Sequence, residues 1–330
     1  MHLAPPPPPS SPWQLLYGGA HGLRSRWYHA RARRLPRPVL SIGNLHWGGA
    51  GKTPLVAAIA ARLRDRGLAV AILSRGYASR GRGVRVVSTG QGPLLGPLLA
   101  GDEPVLLAGE LPGVAVVVSP DRFRAGLHAL RRLEPPPALF LLDDGFSHLA
   151  LHRDLDILAF PAADPWAGGR LPPGGRLREP LRAAARASAV VLTGADTQAA
   201  DAADSEGKHG GAALAAALRD YGFTGPGFAS ATRPGRPLLT TGEALPAGAR
   251  VFLVTAIARP ERFTATARKL GLDIVGELRF PDHHRFPPAS LERIEAAFRG
   301  SGAAAVLTTG KDRVKLLRRI EAPLAELPIR

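Results

Sequence analysis

Gly48-Gly49-Ala50-Gly51-Lys52-Thr53 has the residue types and spacing of a phosphate cradle. Glycines let backbone N–H groups approach phosphate oxygens, and a helix N-terminus placed after such a turn adds a positive dipole end. Lys52 is placed to reach β- and γ-phosphates, and the Thr53 hydroxyl to sit on Mg2+. His46, Trp47, Gly48, Gly49, Ala50 and Gly51 would complete the wrap around a nucleotide. The usual pattern has glycine where His46 stands, and Gly43, Gly48, Gly49 and Gly51 supply the glycines instead. For Gly43 and Asn44 a plain turn and a ligand contact both remain open.

Carboxylates come next. Leu139-Phe140-Leu141-Leu142 is an apolar run ending in Asp143-Asp144-Gly145-Phe146. In a phosphate-loop enzyme a strand's carboxyl end is where the Mg2+-organising aspartate belongs, and the cation lets both carboxylates stay ionised. Gly101-Asp102-Glu103-Pro104 opens a helical stretch. Its acidic pair is either a helix cap or a carboxylate that orients and deprotonates an attacking hydroxyl. Arg75 follows a strand-like run and either binds an acidic substrate group or is a solvated loop arginine, and Asp121-Arg122 follows the Val114–Val118 run at another carboxyl end, where sites cluster. His283 and His284 share a loop, but neighbouring side chains diverge and no third metal ligand is evident, so one catalytic or substrate-contacting histidine is the better expectation.

The elements that must hold these groups follow from apolar runs. Val39 to Ile42 reads as a buried strand into the glycine turn, and Leu55 to Arg66 as the helix after it. Further runs at Leu68–Leu73, Val114–Val118, Ala138–Leu142, Leu155–Phe160 and Ala189–Leu192 are apolar on both faces and alternate with Ala/Leu/Arg helices. That pattern predicts a mainly parallel α/β sheet covered by helices, P-loop NTPase-like. Residues 194–212 read as a linker or loop. A second group follows, with strands at Arg250–Ala256, Asp273–Leu278 and Ala303–Thr308 and helices at Pro260–Leu270 and Pro288–Arg299. The expected division is an N-terminal segment over 1–34, a nucleotide-binding domain over 35–225 and a smaller C-terminal α/β domain over 226–330.

Composition narrows the partners. The 330 residues contain no cysteine, which excludes disulfides, thiolate metal sites and cysteine nucleophiles. No run approaches the roughly 18 apolar residues of a spanning helix, and the N-terminus lacks the regions of a signal peptide, so a cytoplasmic location is expected. The net charge of +16, from 43 Lys+Arg against 27 Asp+Glu, favours anionic partners. Residues 4–12 are Pro/Ser-rich and expected to be disordered or extended. Trp13 to Arg34 mixes Trp13, Leu15, Leu16, Tyr17, Leu23, Trp27 and Tyr28 with Arg24, Arg26, Arg31, Arg33 and Arg34, without an acidic residue. It suggests either short helices, interrupted by glycines, at a membrane interface or an N-terminal helix packed on the protein's own core with a solvated basic face.

Taken in order, these motifs resemble the tetraacyldisaccharide 4'-kinase family, which phosphorylates a lipid A precursor in Gram-negative bacteria. The resemblance rests on Gly43-Asn44, Gly48 to Pro54, Ser74-Arg75-Gly76-Tyr77, Gly101 to Pro104 and Asp121-Arg122. It continues through Asp143-Asp144-Gly145-Phe146-Ser147-His148, Leu177-Arg178-Glu179-Pro180, Pro281-Asp282-His283 and Lys311-Asp312. It runs from about Trp13 to Leu316. Ser147 stands where the family usually has Gln, and Gly310 where it has Glu.

The resemblance implies ATP and Mg2+ bound in a cleft between two domains. The acceptor would be the 4'-hydroxyl of an acylated glucosamine disaccharide 1-phosphate, at an anionic membrane surface on the cytoplasmic face of the inner membrane. Carried onto this chain, Lys52 binds phosphates, Thr53, Asp143 and Asp144 serve the metal, and Asp102 orients and deprotonates the hydroxyl with His283 in support. Asn44, Arg75, Arg122, His148 and Glu179 are candidate substrate contacts, and a monomer is expected. A nucleotide-driven regulatory or assembly protein with a basic nucleic-acid- or partner-binding surface is the alternative. Against it, Thr309-Gly310-Lys311-Asp312 has the wrong spacing for a guanine-reading signal, and no nucleic-acid-binding signature stands out. A kinase of a soluble acceptor is a third possibility, disfavoured by the aromatic-basic N-terminus.

Overall fold

A computed structural model describes residues 12–195 and 206–329. Most of the proline-rich stretch and the middle of the expected 194–212 linker lie outside the described residues. The chain divides into two units, Met1–Gly76 with Gly81–Leu94 and Leu107–Thr232, and Tyr77–Arg80 with Leu95–Leu106 and Arg233–Arg330.

The first unit begins with α1 (Pro12–Ala30), β1 (Val39–Gly43), α2 (Lys52–Arg64), β2 (Val70–Ser74) and β3 (Arg85–Ser88). The short α3 (Pro97–Ala100) and α4 (Asp102–Glu110) run through the segment divided between the units. Then come β4 (Ala115–Val118), α5 (Arg122–Arg132), β5 (Leu139–Asp143), β6 (Leu155–Pro161), β7 (Ala189–Ala195), α6 (Glu206–Leu218) and β8 (Gly227–Ala231). The strands form one sheet in the order β3-β4-β2-β5-β1-β6-β7-β8, parallel except for the β3 edge. Every residue of β2, β4 and β5 is buried, as their unbroken apolar runs require in a parallel sheet covered on both faces. Asp121 caps α5 by accepting the Arg124 backbone N–H, and Ala125 and Ala129 turn inward toward Leu73, Val117 and Leu142.

The second unit holds β9 (Leu238–Leu239), β10 (Arg250–Thr255), α7 (Pro260–Lys269), β11 (Asp273–Arg279), α8 (Pro288–Ser301), β12 (Ala305–Thr309), α9 (Gly310–Leu316) and β13 (Leu324–Leu327). Its sheet runs β11-β10-β12-β13-β9, with β9 antiparallel. The period-two alternation sorts its core. Val251, Leu253, Ala305 and Leu307 pack with Phe263 and Ala267 of α7, while Phe252, Val254 and Val306 pack with Ile294 of α8 and Leu316 of α9.

Three expectations change. The N-terminal segment forms one 19-residue helix rather than short pieces. Glycine costs a helix about 1 kcal/mol but leaves its hydrogen-bond ladder intact, and a side chain at Gly18 would press on the Arg182 guanidinium at 3.0 Å. Residues 206–212 belong to α6, because Leu214, Ala215 and Leu218 bury one helical face and extend the helix backward. The division between units falls at Thr232/Arg233 rather than 225/226, because β8 pairs with β7 as the edge of the first sheet.

Candidate functional site

Parallel pairing sets Ile42 of β1 beside Asp143 of β5. The carboxyl end of β1, which enters the glycine loop, therefore lies next to the carboxyl end that carries Asp143 and Asp144. From β1 the chain goes to β2 on one side and later returns past it to β6 on the other. Such reversal points are where open α/β sheets bind ligands. Gly43 is a packing requirement at this junction, since a Cβ there would lie 2.5 Å from Phe146 Cβ.

Asn44 is the organiser of the loop. It is buried, its amide donates to His46 O at 2.8 Å and lies 3.1 Å from His46 Nδ1, and its Oδ1 accepts from Lys52 Nζ at 2.9 Å. These bonds tie Asn44 to both His46 and Lys52 of the loop. His46 turns inward, and burial first, then the Lys52 charge, pushes its pKa down to about 4. Trp47 turns outward, 58% exposed, beneath the Arg178 guanidinium at 4.7 Å. Gly51 holds a left-handed φ of 66° as the cap of α2, a conformation that disfavours other residues, and Thr193 Oγ1 braces the loop by donating to Ala50 O at 2.7 Å. Thr53 lies in the first turn of α2.

The strap Arg176–Glu179 runs along the loop, with Trp47 N–H donating to Arg176 O and Arg178 N–H to Leu45 O. It delivers Arg178 to Asp144 at 3.0 Å, while Lys52 reaches the other Asp144 oxygen at 3.4 Å. Burial opposes the charge on Asp144, but Lys52 and Arg178 outweigh it and hold the carboxyl below its usual range. Asp143 is buried and accepts the Ser74 hydroxyl at 3.1 Å. Arg178 and Ser74 are partners of the aspartate pair that spacing alone did not single out, although both stood inside quoted motifs.

Thr53, Asp143 and Asp144 supply only oxygen donors. Among the described residues no group of three or more His, Cys, Asp or Glu forms a cage. A few protein oxygens, with water and substrate phosphate completing the set, is how Mg2+ is held, so the residues fit this ion.

Arg122 is 4% exposed, donates to Pro120 O at 3.3 Å and lies 3.5 Å from His148 Nδ1. Its Nε has no hydrogen-bond partner among the described residues. Burial first, then the neighbouring Arg75 charge, lowers its pKa to about 10, and burial with Arg122 brings His148 to about 4. A buried, incompletely satisfied guanidinium favours an incoming anion. Glu179, at the end of the strap, turns its carboxylate to Ser147 and Arg186, accepting from them at 2.6 Å and 2.8 Å. The serine that replaces Gln thus has a structural partner.

The second unit assembles its own cluster. Asp102 opens α4 and its Oδ2 lies 3.5 Å from His283 Nδ1. Lys311 Nζ lies 3.2 Å from His283 Nε2 and 3.4 Å from Glu103. An ammonium can only donate, so His283 accepts at Nε2 and carries its proton on Nδ1, facing Asp102. Burial alone would raise the Asp102 pKa, but the His283 hydrogen bond with Lys315 and Lys311 brings it below the usual carboxylate range. His283 adopts φ 60°, uncommon for a residue with a side chain, and its N–H is held by Asp282 at 3.0 Å. His284 diverges, stacking on Phe280 with ring centroids 4.8 Å apart.

The model of the tetraacyldisaccharide-1-P 4'-kinase family matches residues 10–330. A tetraacyldisaccharide 4'-kinase of Geobacter sulfurreducens is 41% identical over 309 residues, covering 91% of this chain and 82% of the relative. One from an Anaeromyxobacter species is 43% identical over 287 residues, covering 84% and 73%. The crystal structure of LpxK from Aquifex aeolicus in complex with ATP is similar at a TM-score of 0.73 and 32% identity, covering 96% of this chain and 92% of that one.

Proposed function

This chain belongs to the tetraacyldisaccharide-1-P 4'-kinase family, and from that premise we infer that it transfers the γ-phosphate of ATP to the 4'-hydroxyl of a tetraacyldisaccharide 1-phosphate. The product is the 1,4'-bisphosphate of the lipid A precursor. The observation that carries this reading is Lys52, tied to Asn44 at 2.9 Å and Asp144 at 3.4 Å where β1 and β5 end side by side.

Phosphoryl transfer asks the protein mainly for positioning and charge stabilisation. Lys52 and the Gly48–Gly51 backbone take the β- and γ-phosphates. Asp144 keeps Lys52 and Arg178 poised beside the phosphate seat until an anion replaces it as their partner. Thr53, Asp143 and Asp144 would hold Mg2+, which when bound offsets charge on the transferred group. Arg122, with Arg75, takes a phosphate group of a substrate. Asp102 accepts the proton of the 4'-hydroxyl, and the His283 Nδ1–H orients that carboxylate.

The acceptor's acyl chains place the reaction at a membrane surface. Among the described residues no helix is long and apolar enough to cross a membrane. On α1, however, Leu16, Leu23 and Trp27 are exposed, and Arg31 lies over the Trp27 ring at 4.3 Å. That supports an interfacial helix with basic residues toward anionic headgroups at the cytoplasmic face. The side chains of Trp13, Leu15, Arg24 and Arg26, expected in the same role, lie outside the described residues.

The test is transfer of labelled γ-phosphate from ATP to tetraacyldisaccharide 1-phosphate, with soluble sugars and nucleic acid as controls. Label should enter the lipid alone. Equal labelling of a soluble sugar, or hydrolysis without transfer, would overturn the reading.

A further inference from the structure

Lys315 on α9 is a buried lysine with its side chain 4% exposed. Its ammonium lies 2.8 Å from Asp312 Oδ1 and 3.5 Å from Asp102 Oδ2, and faces the Phe286 ring at 5.3 Å. Asp312 is fully buried, and its Oδ2 accepts the Ala256 N–H at 2.8 Å and the Thr309 hydroxyl at 3.1 Å. Asp312 is therefore pinned beyond the end of β10 and at the cap of α9, and it fixes Lys315 beside Asp102.

A buried ion pair is an expensive way to fill a core, since apolar residues of similar volume often serve as well or better. This one reaches a carboxylate assigned to the chemistry. The charged and titratable groups around Asp102 are His283 from the loop after β11, Glu103 on its own helix, and Lys311, Asp312 and Lys315 on α9. Glu103 is occupied by Lys311, and Asp312 by Lys315. The contacts of His283 and Lys315 both fall on Asp102 Oδ2. Oδ1 has no hydrogen bond or ion pair among the described residues and is left for an incoming hydroxyl.

We propose that Lys315 is a positioning residue for the phosphoryl transfer: anchored by Asp312, it keeps the Asp102 carboxylate charged and engages Oδ2, so that Oδ1 meets the acceptor hydroxyl. The proposal rests on Asp102 acting as the base. Lys315, its side chain 4% exposed, is assigned no contact with substrate. It acts through Asp102, and an opposite charge within about 4–6 Å typically moves a carboxyl by one to three pH units.

The experiment measures kcat/KM against pH for the full chain and for Lys315→Met, Lys315→Arg and the double variant Lys315→Met, Asp312→Asn. The double variant leaves no lone buried charge and keeps an oxygen for the Ala256 N–H. Lys315→Met should move the acid limb upward by about one pH unit or more, and the double variant, which also removes the Asp312 charge, upward by less. They should also lower kcat about 10-fold, with the KM for ATP within about twofold of wild type. Lys315→Arg should restore the limb. An unmoved limb accompanied only by a lower Tm would overturn the proposal, as would failure of both uncharged variants to fold, since Lys315 would then be structural. Asp102→Asn is assayed alongside. Wild-type activity there would remove the base assignment itself, whereas an inactive Asp102→Asn with an unmoved Lys315→Met limb would remove only the role of Lys315.

Discussion

Replacing Lys52 by alanine isolates the electrostatic core of the transfer step. In the structure the Lys52 ammonium is 3.4 Å from Asp144, with the lysine side chain 13% and the aspartate side chain 40% exposed. At an effective dielectric constant of about 20 the gross attraction at that distance is roughly 5 kcal/mol. Exposure of Asp144, together with desolvation, reduces the net value of the resting pair to about 1 kcal/mol or less. Loss of the pair should therefore lower stability only slightly. The moving γ-phosphoryl group carries more negative charge than one carboxylate. The share of attraction present only in the transition state is about 3 kcal/mol, the usual worth of one preorganised donor. Lys52→Ala should accordingly reduce kcat about 10²-fold under saturating MgATP. Steady-state transfer to the lipid acceptor measures it, with thermal unfolding as the control for folding. A variant that folds normally and keeps kcat within about fivefold of wild type would refute the assignment of Lys52 to the phosphates.

Asp102→Asn should lower kcat by about 10² to 10⁴-fold while calorimetric ATP affinity stays unchanged; full activity per folded molecule together with a lower Tm would make Asp102 a helix cap. Burial holds His46 and His148 at about 4 in the folded chain, below the unfolded value of about 6.5, so between those values the unfolded chain binds more protons. Stability should thus rise with pH across that window and be lost as pH falls through it. The slope should reach at most about 2.7 kcal/mol per pH unit for two groups, and His46→Gln should halve it in urea titrations; a flat profile would show that the two rings are not held neutral. Deleting residues 1–30 should weaken co-sedimentation with anionic vesicles, most at low salt, because each basic residue near such a surface contributes about 1 kcal/mol. Equal binding by both proteins would show that α1 is ordinary packing.

Much of the phosphate site was legible because its chemistry and its secondary structure share one stretch of sequence. A buried strand, a glycine turn and a helix must follow one another around Lys52, and an apolar strand must end at Asp143. Arg178 was less legible, since its pairing with Asp144 depends on a strap that meets the loop through backbone bonds across more than a hundred residues. Lys315 was invisible for the same reason, because a lysine in a short polar helix looks solvent-facing until the fold buries it. Short strands such as Leu238–Leu239 and Leu324–Leu327 escaped because two to four residues carry too little periodicity. The continuous helix over α1 was one of two readings, because glycine lowers helix propensity without forbidding the helix.

The most direct test of the account is the position of the new phosphate. Purified protein is incubated with ATP, Mg2+ and tetraacyldisaccharide 1-phosphate, and the lipid product is analysed by phosphorus NMR and tandem mass spectrometry. The account predicts a bisphosphate that keeps its 1-phosphate and carries one new monoester on the 4'-oxygen, formed by wild type and lost with Lys52→Ala and Asp102→Asn. A product phosphorylated at another hydroxyl, a 1-diphosphate, or unchanged lipid with ATP consumed would contradict it.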